Sequence, residues 1–79
     1  MKVSIYTIRK TVYEGEAARV TLPTAVGEVT VLDHHEPYVT VLQPGSLRYE
    51  VNGKEQNIAI AGGFLEVREN NELRILADE

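Results

Sequence analysis

The sequence predicts an all-β fold, a flattened barrel or sandwich of about eight to ten short, mostly antiparallel strands. Three observations carry that expectation. Apolar residues recur with period two in nearly every segment, as half-buried strands require. Turn-forming residues separate those runs about every 8 to 12 residues. No window sustains an i, i+3, i+4, i+7 apolar stripe over the ~10–12 residues that a helix needs.

Val3, Ile5 and Thr7 alternate with Lys2, Ser4 and Tyr6 and open the chain as a strand. Gly15, Pro23 and Gly27 punctuate the first half, and Val29 and Val31 then alternate with Glu28 and Thr30. Leu32 to Pro37 reads as a polar loop between two strands. Pro44-Gly45 fits the central pair of a type II turn. Leu47, Tyr49 and Val51 alternate with Ser46, Arg48 and Glu50. Asn52-Gly53 follows, the pair that most cheaply supplies the two positive φ angles of a type I′ hairpin. Ile58 and Ile60 continue the pattern, then Leu65 and Val67, then Leu73 and Ile75. Glu69-Asn70-Asn71 joins the last two runs as a looser hairpin connection, since Asn tolerates the left-handed region. Gly62-Gly63 has no following Lys-Ser/Thr and no helix, so it is no phosphate-binding loop. It reads instead as a bulge or a close backbone approach inside a strand pair.

At 79 residues the chain is one domain, 1–79. So small a domain buries only ~60–65% of the surface its unfolded chain exposes. With no cysteine, neither disulfides nor thiol chemistry are available, and the composition suits a reducing compartment. A net charge of −4 argues against nucleic acid and against anionic lipid. The longest apolar run is four residues, Ile58 to Ala61, far short of the ~20 that span a bilayer. The opening MKVSIYTIRK lacks the apolar core of a signal peptide. The expectation is a soluble chain, monomeric in isolation and not inserted in a membrane.

The residues offer little chemistry. Asp33-His34-His35-Glu36 is the one cluster of potential metal ligands. In an extended segment adjacent side chains point apart, so His34 and His35 share an ion only if the loop curls, and the chain has no other histidine. A polar loop is the expected reading, with no metal site. Ser4 and Ser46 sit in no nucleophile elbow, and nothing in the sequence sets the carboxylate spacing that glycosidase chemistry needs. Tyr6, Tyr13, Tyr38, Tyr49 and Phe64 are too scattered to stack bases. No catalytic residue and no cofactor are expected.

Residues 20–45 contain V-T-L-P, G-E-V-T-V-L and H-E-P-Y-V-T-V-L-Q-P-G, followed by A-G-G-F-L-E-V at 61–67 and L-R-I-L-A-D-E at 73–79. In order and spacing these segments resemble the N-terminal β-sandwich domain of the epsilon subunit of proton-translocating ATP synthase, the delta subunit in mitochondria. The resemblance covers the whole chain, including E-G-E at 14–16. Where the family commonly has Pro-Gly-His-Ala-Pro, this chain has Asp33-His34-His35-Glu36-Pro37, so a glycine is replaced by His34 and an alanine by Glu36. Histidine is among the residues enriched at positive φ.

The resemblance implies a non-catalytic central-stalk subunit, at the cytoplasmic face of a bacterial-type inner membrane, that links the gamma subunit to the ring of c subunits. It rotates with them, and the catalytic sites lie on other chains. It also implies that Gly27 and Glu28 face the c-ring, while the segment matching His35 to Thr40, with Tyr38, lies toward gamma. Of these, Tyr38 is the expected anchor, being of a type enriched at interface hot spots. Most members continue into a helical hairpin that inhibits ATP hydrolysis, and this sequence stops at Glu79, so it is expected to couple without inhibiting. A stand-alone binding module of the same architecture is the alternative, because fold does not fix function.

Overall fold

Period-two patterning becomes nine strands and no helix in the computed structural model, which describes all 79 residues. They are β1 (Lys2–Tyr6), β2 (Thr11–Glu16), β3 (Arg19–Thr24), β4 (Gly27–Val31), β5 (Tyr38–Leu42), β6 (Gly45–Val51), β7 (Lys54–Ile60), β8 (Gly62–Arg68) and β9 (Glu72–Asp78). The order across the sheet is β2-β1-β9-β8-β5-β3-β6-β7, with β4 on the side of β3. Every pairing is antiparallel except β1 with β9.

β3 and β5 meet at one residue pair, Thr24 opposite Leu42. At that narrow joint the sheet folds over, and its two halves enclose one core of 16 buried apolar residues. Val3, Ile5, Leu65, Leu73 and Ile75 face in from one half, and Val20, Leu22, Val31 and Leu47 from the other. Each such side chain, fully withdrawn from water, stabilises the fold by roughly 1.5–3 kcal/mol. At the open ends the two layers are tied by the Tyr13 and Tyr49 rings, whose centroids lie 5.0 Å apart.

The turns largely follow their residue chemistry. Asn52 and Gly53 have φ of 52° and 76° and join Val51 to its partner Lys54, as a type I′ turn requires. Asn71 has φ 58° at the end of the three-residue connection between β8 and β9. Gly62-Gly63 is a close approach: a Cβ on Gly63 would run into the carbonyl oxygen of Leu76 and lie 3.0 Å from the Cα of Ala77.

Three local expectations give way. Thr7 does not extend β1, because its Oγ1 accepts hydrogen bonds from the amides of Arg9 and Lys10, both at 3.3 Å. That local bonding competes with the strand ladder and turns the chain. Gly15 and Pro23 lie inside β2 and β3 rather than at turns. Pro44-Gly45 forms no type II turn, since Gly45 is near-extended at φ 158° and opens β6. Its missing side chain admits Pro23, whose Cβ and Cγ would lie 3.1 Å from an added Cβ.

Candidate contact surfaces

β3 and β4 form a hairpin whose tip carries Gly27 and Glu28. Thr24 closes it, its Oγ1 donating to the Gly27 carbonyl at 2.7 Å and accepting from the Val26 amide at 3.3 Å. Val26 projects into solvent, 91% exposed. The Glu28 carboxylate is already occupied: its Oε1 lies 2.8 Å from Arg48 Nη2 on β6. The tip therefore presents an apolar knob beside a neutralised ion pair rather than a free acid.

The loop from Leu32 to Pro37 sits at the other end of the molecule. β5 runs away from it, and only the far residue of that strand, Leu42, pairs with Thr24 beside the hairpin tip. Gly27 and Glu28 are thus a strand's length from His35 and Tyr38. The loop curls at His34, which takes φ 61°. The curl brings the His35 ring against Tyr38, centroids 5.1 Å apart. No three His, Asp or Glu side chains converge as a metal would need.

Asp33 anchors this loop. Its Oδ1 accepts from the Met1 amine at 2.7 Å and from Asn71 Nδ2 at 3.3 Å. The amine and Asn71 hold the carboxyl below its usual 3.8, and the same hydrogen bond, aided by Glu16, holds the amine above its usual 8.0. A lowered acid contributes stability that is lost as pH falls through its folded value. A raised base contributes stability that is lost as pH rises through its folded value. The difference in melting temperature between the wild type and Asp33→Asn is therefore expected to be greatest between about pH 5 and 8 and to shrink on both sides. Thermal denaturation of both chains across pH checks this, and a difference independent of pH would contradict it.

Tyr38 and Thr40 are half-buried and lie on the inward side of β5 with Leu42. Tyr38 packs against the core, and burial pushes its phenol up. The outward positions of β5 are Val39 and Val41, 67% and 50% exposed. Val41 stands opposite Phe64, Phe64 opposite Leu76, and Leu76 opposite Tyr6, so one row crosses β5, β8, β9 and β1. Phe64 and Leu76 are 55% and 52% exposed, and Ile8 beside them is wholly exposed. Together they line a shallow groove of about 540 Å³.

This row escaped the sequence reading. Its signal was the apolar pairs Val41-Leu42, Phe64-Leu65 and Ile75-Leu76, which mark strands apolar on both faces. Exposed apolar residues gathered in one row, rather than scattered singly, are the pattern that interaction surfaces show.

Comparison with known proteins bears on the family and the fold. The family model described as "ATP synthase, Delta/Epsilon chain, beta-sandwich domain" matches residues 1–79. An ATP synthase epsilon chain from Herpetosiphon aurantiacus is 44% identical over 78 residues, which is 99% of this chain and 57% of that protein. One from Neisseria meningitidis is 39% identical over 80 residues, covering 99% of this chain and 56% of that protein. The chain thus spans a little over half the length of these relatives. Among solved structures, a chain of the Euglena gracilis mitochondrial ATP synthase OSCP/F1/c-ring assembly superposes with TM-score 0.91 at 32% identity, covering 98% of this chain and 49% of that one. A chain of the Tetrahymena thermophila mitochondrial ATP synthase central stalk and c-ring superposes with TM-score 0.86 at 22% identity, over 100% of this chain and 63% of that one, a likeness of fold. From its first residue to its last, the chain belongs to the β-sandwich family of ATP synthase delta/epsilon chains.

Proposed function

We propose that this domain is a non-catalytic part of the ATP synthase central stalk, which joins the gamma subunit to the c-ring and turns with them as ion flow drives ATP synthesis. The observation that carries the reading is the separation, by the length of β5, of the hairpin tip from the His35 loop on one hydrogen-bonded body. The hairpin tip with Gly27 and Glu28 meets the c-ring. The outward face of β5, β8, β9 and β1, flanked by the loop with His35, meets gamma. Of the residues first expected at gamma, His35 remains a direct contact, while Tyr38 and Thr40 act from the inner side of β5 by supporting it. A hydrogen-bonded sandwich with short connections resists shear between its two ends, which suits torque transfer better than chemistry. It works at the cytoplasmic face of a bacterial-type membrane, held there by its partners.

The test is co-purification of the 79-residue chain with isolated gamma, then with gamma plus the c-ring. Binding to gamma at micromolar concentration is expected, and failure at that concentration removes the stalk reading. Glu28→Ala should leave gamma binding unchanged. It should weaken retention on the c-ring by no more than about fivefold, since the carboxylate is already paired with Arg48 and any exposed ion pair it makes with the ring is worth ~0–1 kcal/mol.

A further inference from the structure

No backbone–backbone hydrogen bond ties the Leu32–Pro37 loop to the rest of the molecule, and its residues are exposed, with a turn at Asp33-His34. Its place on the body must therefore come from side chains. Besides the Met1 amine on Asp33, the residue that holds it is one far away in sequence, Asn71, in the turn between β8 and β9. The Oδ1 of Asn71 accepts from the His34 amide at 2.7 Å, and its Nδ2 donates to Asp33 Oδ1 at 3.3 Å. Its own carbonyl accepts from the Lys2 amide at 3.1 Å, so the anchor is itself fixed to β1. A left-handed conformation at a residue other than glycine persists only where its surroundings impose it. At His34 the one hydrogen bond made by the backbone amide is the bond to Asn71.

We propose that Asn71 is a positioning residue for partner binding: by bonding the His34 amide and Asp33 it fixes the curl that sets the His35 ring beside Tyr38. The inference rests on the reading that this loop meets the gamma subunit. A loop released from Asn71 populates the competent shape only part of the time, and apparent affinity falls by that fraction. Met1 and Asp33 cannot substitute, because the amine holds the Asp33 side chain and leaves the His34 amide free.

Two variants separate the side chain from the turn it sits in. Asn71→Gly keeps a residue suited to positive φ and removes the amide. Asn71→Asp, made together with Asp33→Asn so that no second carboxylate faces Asp33 Oδ1 where Nδ2 lay at 3.3 Å, tolerates the same conformation and keeps an acceptor for the His34 amide. Hydrogen exchange of the His34 amide, followed by NMR in the 79-residue chain, reads the anchoring without any partner. Asn71→Gly is expected to speed it about tenfold, the effect of losing its single protecting bond, with β8 and β9 amides unchanged. The dissociation constant for gamma should rise about fivefold, and the double variant should restore both readouts toward wild type, whereas Asn71→Asp alone should not, because it sets two carboxylates together. Unchanged His34 exchange in Asn71→Gly overturns the anchoring. Faster exchange with unchanged gamma affinity overturns the positioning role. A wild-type chain that binds no gamma sinks the stalk reading instead, and the exchange result still decides the anchoring.

Discussion

Phe64→Glu is expected to weaken gamma binding about a hundredfold, near 3 kcal/mol, while moving the melting temperature by no more than about 3 °C. Phe64 lies in the middle of the exposed row, between Val41 and Leu76, and more than half of it faces solvent in the isolated domain. Central aromatic residues carry a large share of interface energy, commonly about 2 kcal/mol or more each. A carboxylate there loses that contribution and must also shed water against an apolar partner without a counter-charge. In the free chain it stands in solvent, so the core should not register it. Tyr38→Ala provides the contrast. That ring packs on the core, so its loss should lower stability first and affinity second. Surface plasmon resonance with immobilised gamma, paired with thermal melts, distinguishes the cases. Wild-type affinity in both Phe64→Glu and Leu76→Glu would show that gamma does not use this face.

Gly63→Ala should have the largest effect on stability, about 3 kcal/mol or more, equivalent to a fall of about 15 °C in melting temperature for a domain of this size. The added methyl would collide with the Leu76 carbonyl and crowd the Ala77 Cα. These are backbone atoms and cannot rotate away. To make room β8 and β9 must separate where Gly63 pairs with Ala77 and Phe64 with Leu76. Gly63 also pairs with Leu42 on β5, so the strand cannot simply slide aside. At φ 142° alanine adds conformational strain besides. Gly27→Ala is the control: at φ 111° it carries backbone strain too, but a Cβ there meets nothing within 4 Å, so the comparison isolates the collision. Thermal denaturation of the two variants and the wild type compares them directly. A Gly63→Ala chain melting within about 5 °C of wild type would mean that β8 and β9 part far more easily than their geometry implies.

The strand pattern was written in the residues themselves. Alternation at Leu47-Tyr49-Val51 and Leu73-Ile75 is a local property of backbone pleat and side-chain burial, so it survives without knowledge of neighbours. The same holds for Asn52-Gly53, whose turn depends on the φ preferences of two residues. The Gly62-Gly63 pair signalled a close approach for a similar reason, although not what approaches. Where the local signal misled, a partner from elsewhere had intervened. Pro44-Gly45 resembles a type II turn on its own, but Pro23 occupies the space beside Gly45 and the chain stays extended. Thr7 fits a strand by period, yet its hydroxyl finds the amides of Arg9 and Lys10.

The proposed contact surfaces divide along the same line. Residues 20–45 and the closing segments carried the family resemblance, which pointed to Gly27, Glu28, His35, Tyr38 and Thr40. Their distribution over opposite ends of the body, and the pairing of Glu28 with Arg48, depend on which strands lie side by side. The apolar row of Val41, Phe64, Leu76 and Tyr6 is assembled from four strands, and the Asn71 anchor reaches 37 residues back to His34. Sequence by itself determined the periodicity and the Asn52-Gly53 turn, because each is encoded by neighbouring residues, and the family, because its segments keep their order along the chain. Tertiary structure alone decided which apolar residues face water together and what holds the loop, because strand register turns distant positions into one surface.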